Sequence, residues 1–293
     1  MDCTEGLLYL MNVINPTPMK KILVPVDFSK HSEYALEVAA QIAREKHMEI
    51  CVLHMIGLSE SVLSKNEAEE YKEAQYYMKL AKKQFKPFLE KEYLNGLKIL
   101  QLVQNYKIFS EINTIVKELN IDLVIMGSHG VNRAKDAFVG SNTEKVVRTC
   151  EVPVIVIKRP RHNFTLNIVV FAFNFKDEIV GTYKRVKELA HFFHAEVYPV
   201  FVNTPSIKFL SNTTIEEKLA YYKERFDIQD EVVVYNDTSI EKGILNYAKK
   251  MNADAVVIPT HGRKGISHFI KGSVGESMAN HANIPVITFK TST

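Results

Sequence analysis

Val124-Ile125-Met126-Gly127-Ser128-His129-Gly130, followed nine residues later by Gly140-Ser141-Asn142-Thr143-Glu144, is the stretch around which the rest of the chain is ordered. The apolar run from Leu123 to Met126 has the composition of a strand buried on both faces of a parallel sheet. Gly127 ends it, and Gly130 permits backbone angles closed to residues with a side chain. Ser141-x-x-Glu144 carries the capping-box pattern, which predicts that the loop delivers the chain to a helix N-terminus. Free N–H groups and the helix dipole suit such a place to a phosphate. No Gly-x4-Gly-Lys-Ser/Thr and no Gly-x-Gly-x-x-Gly occurs, so the loop belongs to neither of those phosphate-binding types. The plainer alternative is a glycine-rich connection that binds nothing.

The stretch returns. Ala255-Val256-Val257-Ile258-Pro259-Thr260-His261-Gly262 leads, after nine residues, to Gly272-Ser273 with Glu276 three further on. Gly130 and Gly262 are 132 residues apart, as are Gly140 and Gly272, and Ile284-Pro285-Val286-Ile287 echoes Val152-Pro153-Val154-Ile155. Two copies of one fold follow. In the first copy, residues 22–27, 49–55, 97–103, 123–126 and 153–157 read as strands. Helices are predicted from Ser29-x-x-Ser32, over 67–94 (Lys- and Glu-rich, a solvated outer layer), over 110–119 and from Ser141. In the second, strands over 166–173, 196–202, 231–235 and from Ala255 alternate with helices around Val186-Phe193, over 214–226 and after Thr238-x-x-Glu241. Such alternation implies a parallel sheet with helices on both faces. The domain reading is a loose extension over 1–18, with Met19 as the expected start, domains over 19–159 and 166–293, and a polar linker over 160–165.

At 293 residues, with 46% hydrophobic and 24% charged residues, two ordinary globular cores are expected. A net charge of +3 gives no footing for nucleic acid or an anionic membrane surface. Three widely spaced cysteines (Cys3, Cys51, Cys150) fit reduced thiols in a cytoplasm better than a disulfide framework, and Cys51 and Cys150, in apolar patterns, read as buried. No apolar run has transmembrane length, and the first 18 residues lack the basic region and cleavage pattern of a signal peptide.

The spacing Gly-x2-Gly-x9-Gly-Ser at Gly127, Gly130, Gly140 and Ser141 resembles the nucleotide-binding signature of the universal stress protein family. The resemblance extends over nearly the whole chain from Met19, as a tandem member. It implies an α/β fold of two tandem five-stranded parallel-sheet domains, Rossmann-like and similar to the adenine nucleotide alpha hydrolases. It also implies ATP at the carboxyl ends of the strands. The last strands are then expected to pair within one chain as an intramolecular pseudo-dimer, with a further homodimer left open.

Within the first copy the resemblance assigns Pro25, Asp27 and Met55 to the adenosine half of the nucleotide. A carboxylate at Asp27 can accept hydrogen bonds from ribose hydroxyls or an adenine amine; its plainer role is to cap the following helix. Met55 would act through its backbone or simply pack at a strand end. Met126, Gly127, Gly130, Gly140, Ser141, Asn142 and Thr143 would meet the phosphates. A divalent ion such as Mg is expected with a triphosphate, but no carboxylate cluster specifies a protein-built metal site. In the second copy Pro259 replaces Gly127, and Phe171 and Phe173 stand against Pro25 and Asp27; a one-residue shift offers Asn174. That copy is expected to have lost adenosine binding while keeping an anion site at Gly262, Gly272 and Ser273. His191 and His194 read as helix-end residues. No nucleophile–base–acid set is present, so turnover is expected to reach at most slow hydrolysis of ATP. The competing readings are an interaction module with vestigial sites and an adenylyl-type enzyme, which would want a Ser-Gly-Gly loop where Asp27-Phe28-Ser29 stands.

Overall fold

A computed structural model of the chain describes residues 19–57, 67–106, 111–128, 141–206, 209–226, 228–260 and 284–291. In chain order its elements are β1 (Lys21–Val26), α1 (Lys30–Lys46), β2 (Glu49–Gly57), α2 (Glu67–Leu89), a 3-10 turn (Glu92–Leu94), β3 (Ile99–Tyr106), α3 (Glu111–Glu118), β4 (Leu123–Gly127), α4 (Ser141–Thr149) and β5 (Val154–Ile157). The second half continues with β6 (Ile168–Ala172), α5 (Glu178–Phe193), β7 (Glu196–Asn203), α6 (Asn212–Phe226), β8 (Val233–Asn236), α7 (Ile240–Lys250), β9 (Ala255–Thr260) and β10 (Val286–Lys290). The chain packs as two compact units. One holds Lys20–Thr165 with the described part of Ile258–Lys290; the other holds Leu166–Val257.

In the first unit the strand order is β3-β2-β1-β4-β5-β10. The first five strands are parallel, and β10 lies antiparallel on β5 with Val286 opposite Val156 and Thr288 opposite Val154. Both faces of the central strands are covered, as their unbroken apolar sequences require: every residue of β4 and β5 is buried. One core layer joins Leu23, Cys51, Val124, Met126, Val154 and Val156 to Ile112 and Ile115 of α3 and Val146 and Val147 of α4. Helix α1 starts where the sequence places it: the Ser29 hydroxyl accepts the Ser32 N–H at 3.3 Å, and His47 closes the helix in a left-handed conformation. Helix α2 stops at Leu89, short of the predicted 94, with Pro87 in its last turn. It is not a purely solvated layer either, since Ala81, Phe85 and Phe88 are buried.

In the second unit the order is β9-β6-β7-β8, all parallel. Helix α7 is capped by Ser239, whose hydroxyl accepts the Lys242 N–H at 3.3 Å, so the cap lies one residue beyond the predicted Thr238. His194 ends α5 in a left-handed conformation, a helix-end role.

Register shows how the two copies correspond. Ile22 lies opposite Ile50 and Leu123 in the first, Val169 opposite Val197 and Ala255 in the second. The carboxylate of Asp122 accepts the N–H groups of Lys20 and Lys21 at 2.7 and 3.0 Å; Asp254 does the same for Asn167 and Ile168 at 2.7 and 2.9 Å. Both relations match Asp27 to Asn174 and Val26 to Phe173. Setting Phe173 against Asp27 is therefore one residue out of register. Phe171 and Phe173 are buried core side chains and do not occupy the positions of Pro25 and Asp27.

Candidate functional site

The strand order of the first unit reverses between β1 and β4: the chain moves from β1 to β2 and β3 on one side, then crosses to β4 and β5 on the other. A doubly wound sheet opens a crevice at the carboxyl ends of its strands at such a point. Asp27, Met55 and Gly127 stand at the carboxyl ends of β1, β2 and β4 and so share that edge.

Asp27 is half-buried, and its Oδ1 accepts the Ser29 N–H at 3.1 Å. It thereby shapes the turn into α1 without being the helix cap, which is Ser29. Between them Phe28 holds φ at 62°, a left-handed conformation uncommon for a bulky residue. Packing imposes it: the Phe28 ring lies 4.5 Å from the His54 ring and edge-on to Phe85 and Phe88 at 5.2 and 5.4 Å. His54 Nδ1–H donates to the Val26 carbonyl at 2.9 Å, which fixes the proton on that nitrogen. Neither Phe28 nor His54 was singled out from the sequence; aromatic residues on both sides of a strand end were the available signal.

Pro25 is half-buried opposite Leu53, and Met55 packs partly buried against the core layer. Met126 is 5% exposed and turned into that layer, which leaves only its backbone for a ligand. Gly127 has a steric reason to be glycine: a Cβ there would lie 2.6 Å from both the carbonyl carbon and the oxygen of His31 in the first turn of α1. The Gly127 carbonyl accepts the buried Thr143 hydroxyl at 2.9 Å, pinning the end of β4 to the first turn of α4. Backbone N–H groups of Ser141, Asn142 and Thr143 open α4, the arrangement that favours an anion. Gly130 and Gly140 lie outside the described residues, as do Gly262, Gly272 and Ser273.

The site's second copy keeps part of this frame. Asn174 Oδ1 accepts the Lys176 N–H at 3.1 Å, repeating the Asp27 turn without its charge. Phe175 stacks 4.6 Å from Phe201, the counterpart of His54, with Lys218 Nζ 5.8 Å above the Phe175 ring. Phe175 is not among the described residues with positive φ, and α5 begins after Asp177 without a side-chain cap. Pro259, in the place of Gly127, is buried within β9.

Two further features bear on chemistry. Lys158, directly after β5, is partly buried, and desolvation pulls its ammonium pKa down from 10.5 to about 8. Cys51 and Cys150 are buried outside any disulfide, and burial pushes the Cys51 thiol up, away from reactivity. Among the described residues no three His, Cys, Asp or Glu side chains gather as a metal site, and no helix is long and apolar enough to cross a membrane.

Comparison with known proteins agrees with this architecture. The chain is 32% identical over 163 residues to the universal stress protein MJ0577 of Methanocaldococcus jannaschii, covering 48% of this chain and 95% of that one. It is 26% identical over 152 residues to the universal stress protein YxiE of Bacillus subtilis, 47% of this chain and 98% of that one. A solved universal stress protein from Archaeoglobus fulgidus superposes with a TM-score of 0.61 at 20% identity, covering 93% of this chain and 96% of that one, which shows a shared fold. The model of the universal stress protein family matches twice, over residues 18–158 and 168–290. The chain belongs to the universal stress protein family and carries two of its domains in tandem.

Proposed function

We propose that the first repeat binds ATP in the β1/β4 crevice and that the protein acts in stress response or regulation through nucleotide occupancy. The observation that carries this reading is the convergence of the Asp27 carboxylate, the glycine-walled end of β4 and the first turn of α4 on one sheet edge at the switch point. Pro25, Asp27 and Met55 take the adenosine; the backbone of Met126 and Gly127, with Gly130, Gly140, Ser141, Asn142 and Thr143, takes the phosphates. A Mg ion would accompany the triphosphate and offset its charge.

The second repeat, with Asn174 for Asp27 and Pro259 for Gly127, binds at most an anion at Gly262, Gly272 and Ser273. Proline lacks both the N–H and the backbone freedom of the glycine it replaces. The domains run over 19–159 and 166–293, joined by the linker 160–165. That linker is supported by Gln41, which donates to the Arg161 carbonyl at 2.6 Å and accepts the Phe164 N–H at 2.7 Å. The antiparallel β5–β10 pair supports an intramolecular pseudo-dimer. Titration calorimetry with Mg-ATP tests the reading. One site per chain, abolished by Asp27→Ala or Gly140→Val in a folded protein, is expected; heat absent in the wild type as well would turn the assignment toward an interaction module.

A further inference from the structure

Helix α2 presents two separate lines of residues. Ala81, Phe85 and Phe88 turn into the first unit, where Phe85 and Phe88 meet the Phe28 ring at 5.2 and 5.4 Å. At the pitch of an α-helix, a second line of positions runs well over a quarter turn away. It comprises Glu69, Glu73, Tyr76, Leu80, Lys83 and Pro87, spaced alternately by four and three residues along the helix. That spacing is the heptad seam by which one helix lies along another. Tyr76 is 64% exposed and Leu80 42%, and Lys83 and Pro87 are exposed as well, so the line faces solvent from Tyr76 onward.

The charges of α2 are segregated along its length. Glu67, Glu69, Glu70 and Glu73 fall in its first third, and Lys79, Lys82, Lys83 and Lys86 in its second half, with no acid from Gln75 to Leu89. Lys86 also reaches Glu90 at 4.0 Å. An anionic lipid surface would attract the lysines but repel Glu69 and Glu73 on the same line. A second copy of α2 running antiparallel is complementary instead. About a two-fold axis at the level of Met78, position 76 meets 80, 73 meets 83, 70 meets 86 and 69 meets 87. Tyr76 of each copy then faces Leu80 of the other, with Glu73 facing Lys83 on either side. Parallel pairing would set acid against acid and base against base.

We infer that α2 is a self-association surface, on which two copies of this chain pair antiparallel through Tyr76 and Leu80 with Glu73 and Lys83 setting the register. It is distinct from the antiparallel β5–β10 pair, which is made within one chain, and it is independent of the ATP reading. A single helix seam lies at the small end of interfaces and exposed ion pairs add little, so the dimer is weak, concentration-dependent and salt-sensitive. Sedimentation equilibrium of the full chain, over a concentration series at low and high salt, tests it. Wild type should dimerise at low salt and dissociate as salt is raised. Lys83→Glu sets two like-charged pairs in the seam and should weaken the dimer about tenfold or more, as should Glu73→Lys. Combining Glu73→Lys with Lys83→Glu should bring affinity back to within a few-fold of wild type. Leu80→Ser should also weaken the dimer, whereas Met78→Ser, at a residue 41% exposed but off the line, should not. A wild type that stays monomeric at every concentration, a dimer that Lys83→Glu leaves intact, or a charge reversal that the exchange does not rescue would overturn the inference.

Discussion

Replacing Gly127 by alanine would place a methyl carbon 2.6 Å from the carbonyl carbon and oxygen of His31 and 2.9 Å from its Cβ. Two of those neighbours are backbone atoms in the first turn of α1, so no side-chain rotation relieves the overlap. Either β4 or the start of α1 has to shift. Both are fixed, β4 by pairing with β1 and β5 and by the Thr143 bond, α1 by the Ser29 cap. Overpacking of this kind costs about 1–3 kcal/mol. For a protein of this size that lowers the apparent Tm by roughly 2–12 °C. The matched control is Gly181→Ala in α5, where nothing stands within 4 Å of the added carbon. There alanine should be neutral or stabilise by about 0.5–1 kcal/mol through helix propensity. Thermal unfolding followed by circular dichroism on both variants reads the difference. If Gly127→Ala melts no lower than Gly181→Ala, the close approach of α1 to β4 is not a constraint, and Gly127 owes its identity to something else.

Other outcomes follow from the same geometry. Asp27→Asn keeps an acceptor for the Ser29 N–H, as Asn174 does for the Lys176 N–H at 3.1 Å, and should change stability little, yet weaken Mg-ATP binding about tenfold or more through loss of a charged acceptor; unchanged affinity by calorimetry would remove the carboxylate from the ligand. Thr143→Val withdraws the hydroxyl donated to the buried Gly127 carbonyl and should cost about 1–3 kcal/mol in urea denaturation. An unaltered midpoint would show that the bond does not pin the loop. Lys158 bears on pH. Its folded pKa of about 8 lies below the ordinary 10.5, so the unfolded chain binds more protons between those values and stability should rise with pH there, by roughly 3 kcal/mol at most. The rise should end near pH 10, because burial raises the Tyr93 pKa above its ordinary 10.0 and a raised tyrosine loses its stabilisation beyond that point. Lys158→Met should be more stable than wild type at pH 7 and lack the rise from pH 8, and a variant with the wild-type slope would assign that slope to other groups.

Much of the architecture was legible because its signals are local. Glycine spacing, unbroken apolar strands and the Ser29 hydroxyl each act within a few residues, and the 132-residue repeat multiplied them. Two of the misplaced positions originate in contacts that are distant in sequence, and one in local backbone geometry. Phe173 against Asp27 is a fair match of apolar strings, but register is set across strands, where Val169 faces Ala255 as Ile22 faces Leu123. Thr238 and Ser239 are equally good caps by composition, and the choice falls to backbone geometry: Ser239 has extended angles (φ −147°, ψ 154°), the form a cap requires. The buried face of α2 was obscured by its lysines and glutamates, while Phe85 and Phe88 reach Phe28 only once β1 and α2 are packed.

The candidate site shows the same division. Gly127 could be named because it ends an apolar strand, and Asp27 and Met55 because the family resemblance points to their strand ends. What the sequence did not carry is that Gly127 is shaped by α1, that Thr143 spends its hydroxyl on Gly127, or that Lys158 is desolvated. Desolvation depends on how the elements around the end of β5 pack, and a lysine after a strand is ordinarily solvated. The asymmetry between the repeats also rests on a different footing after folding. It no longer depends on bulky phenylalanines but on Asn174 for Asp27, Pro259 for Gly127, and a strained Phe28 whose counterpart Phe175 is relaxed.

The most direct test of one working nucleotide site in the first repeat is to denature the purified full chain and count released nucleotide per chain by chromatography and mass spectrometry, after saturation with Mg-ATP and removal of excess. About one ATP per chain, lost in Asp27→Ala and retained in Asn174→Ala, is the predicted result. Two per chain, or one that disappears with Asn174→Ala and survives Asp27→Ala, would contradict it.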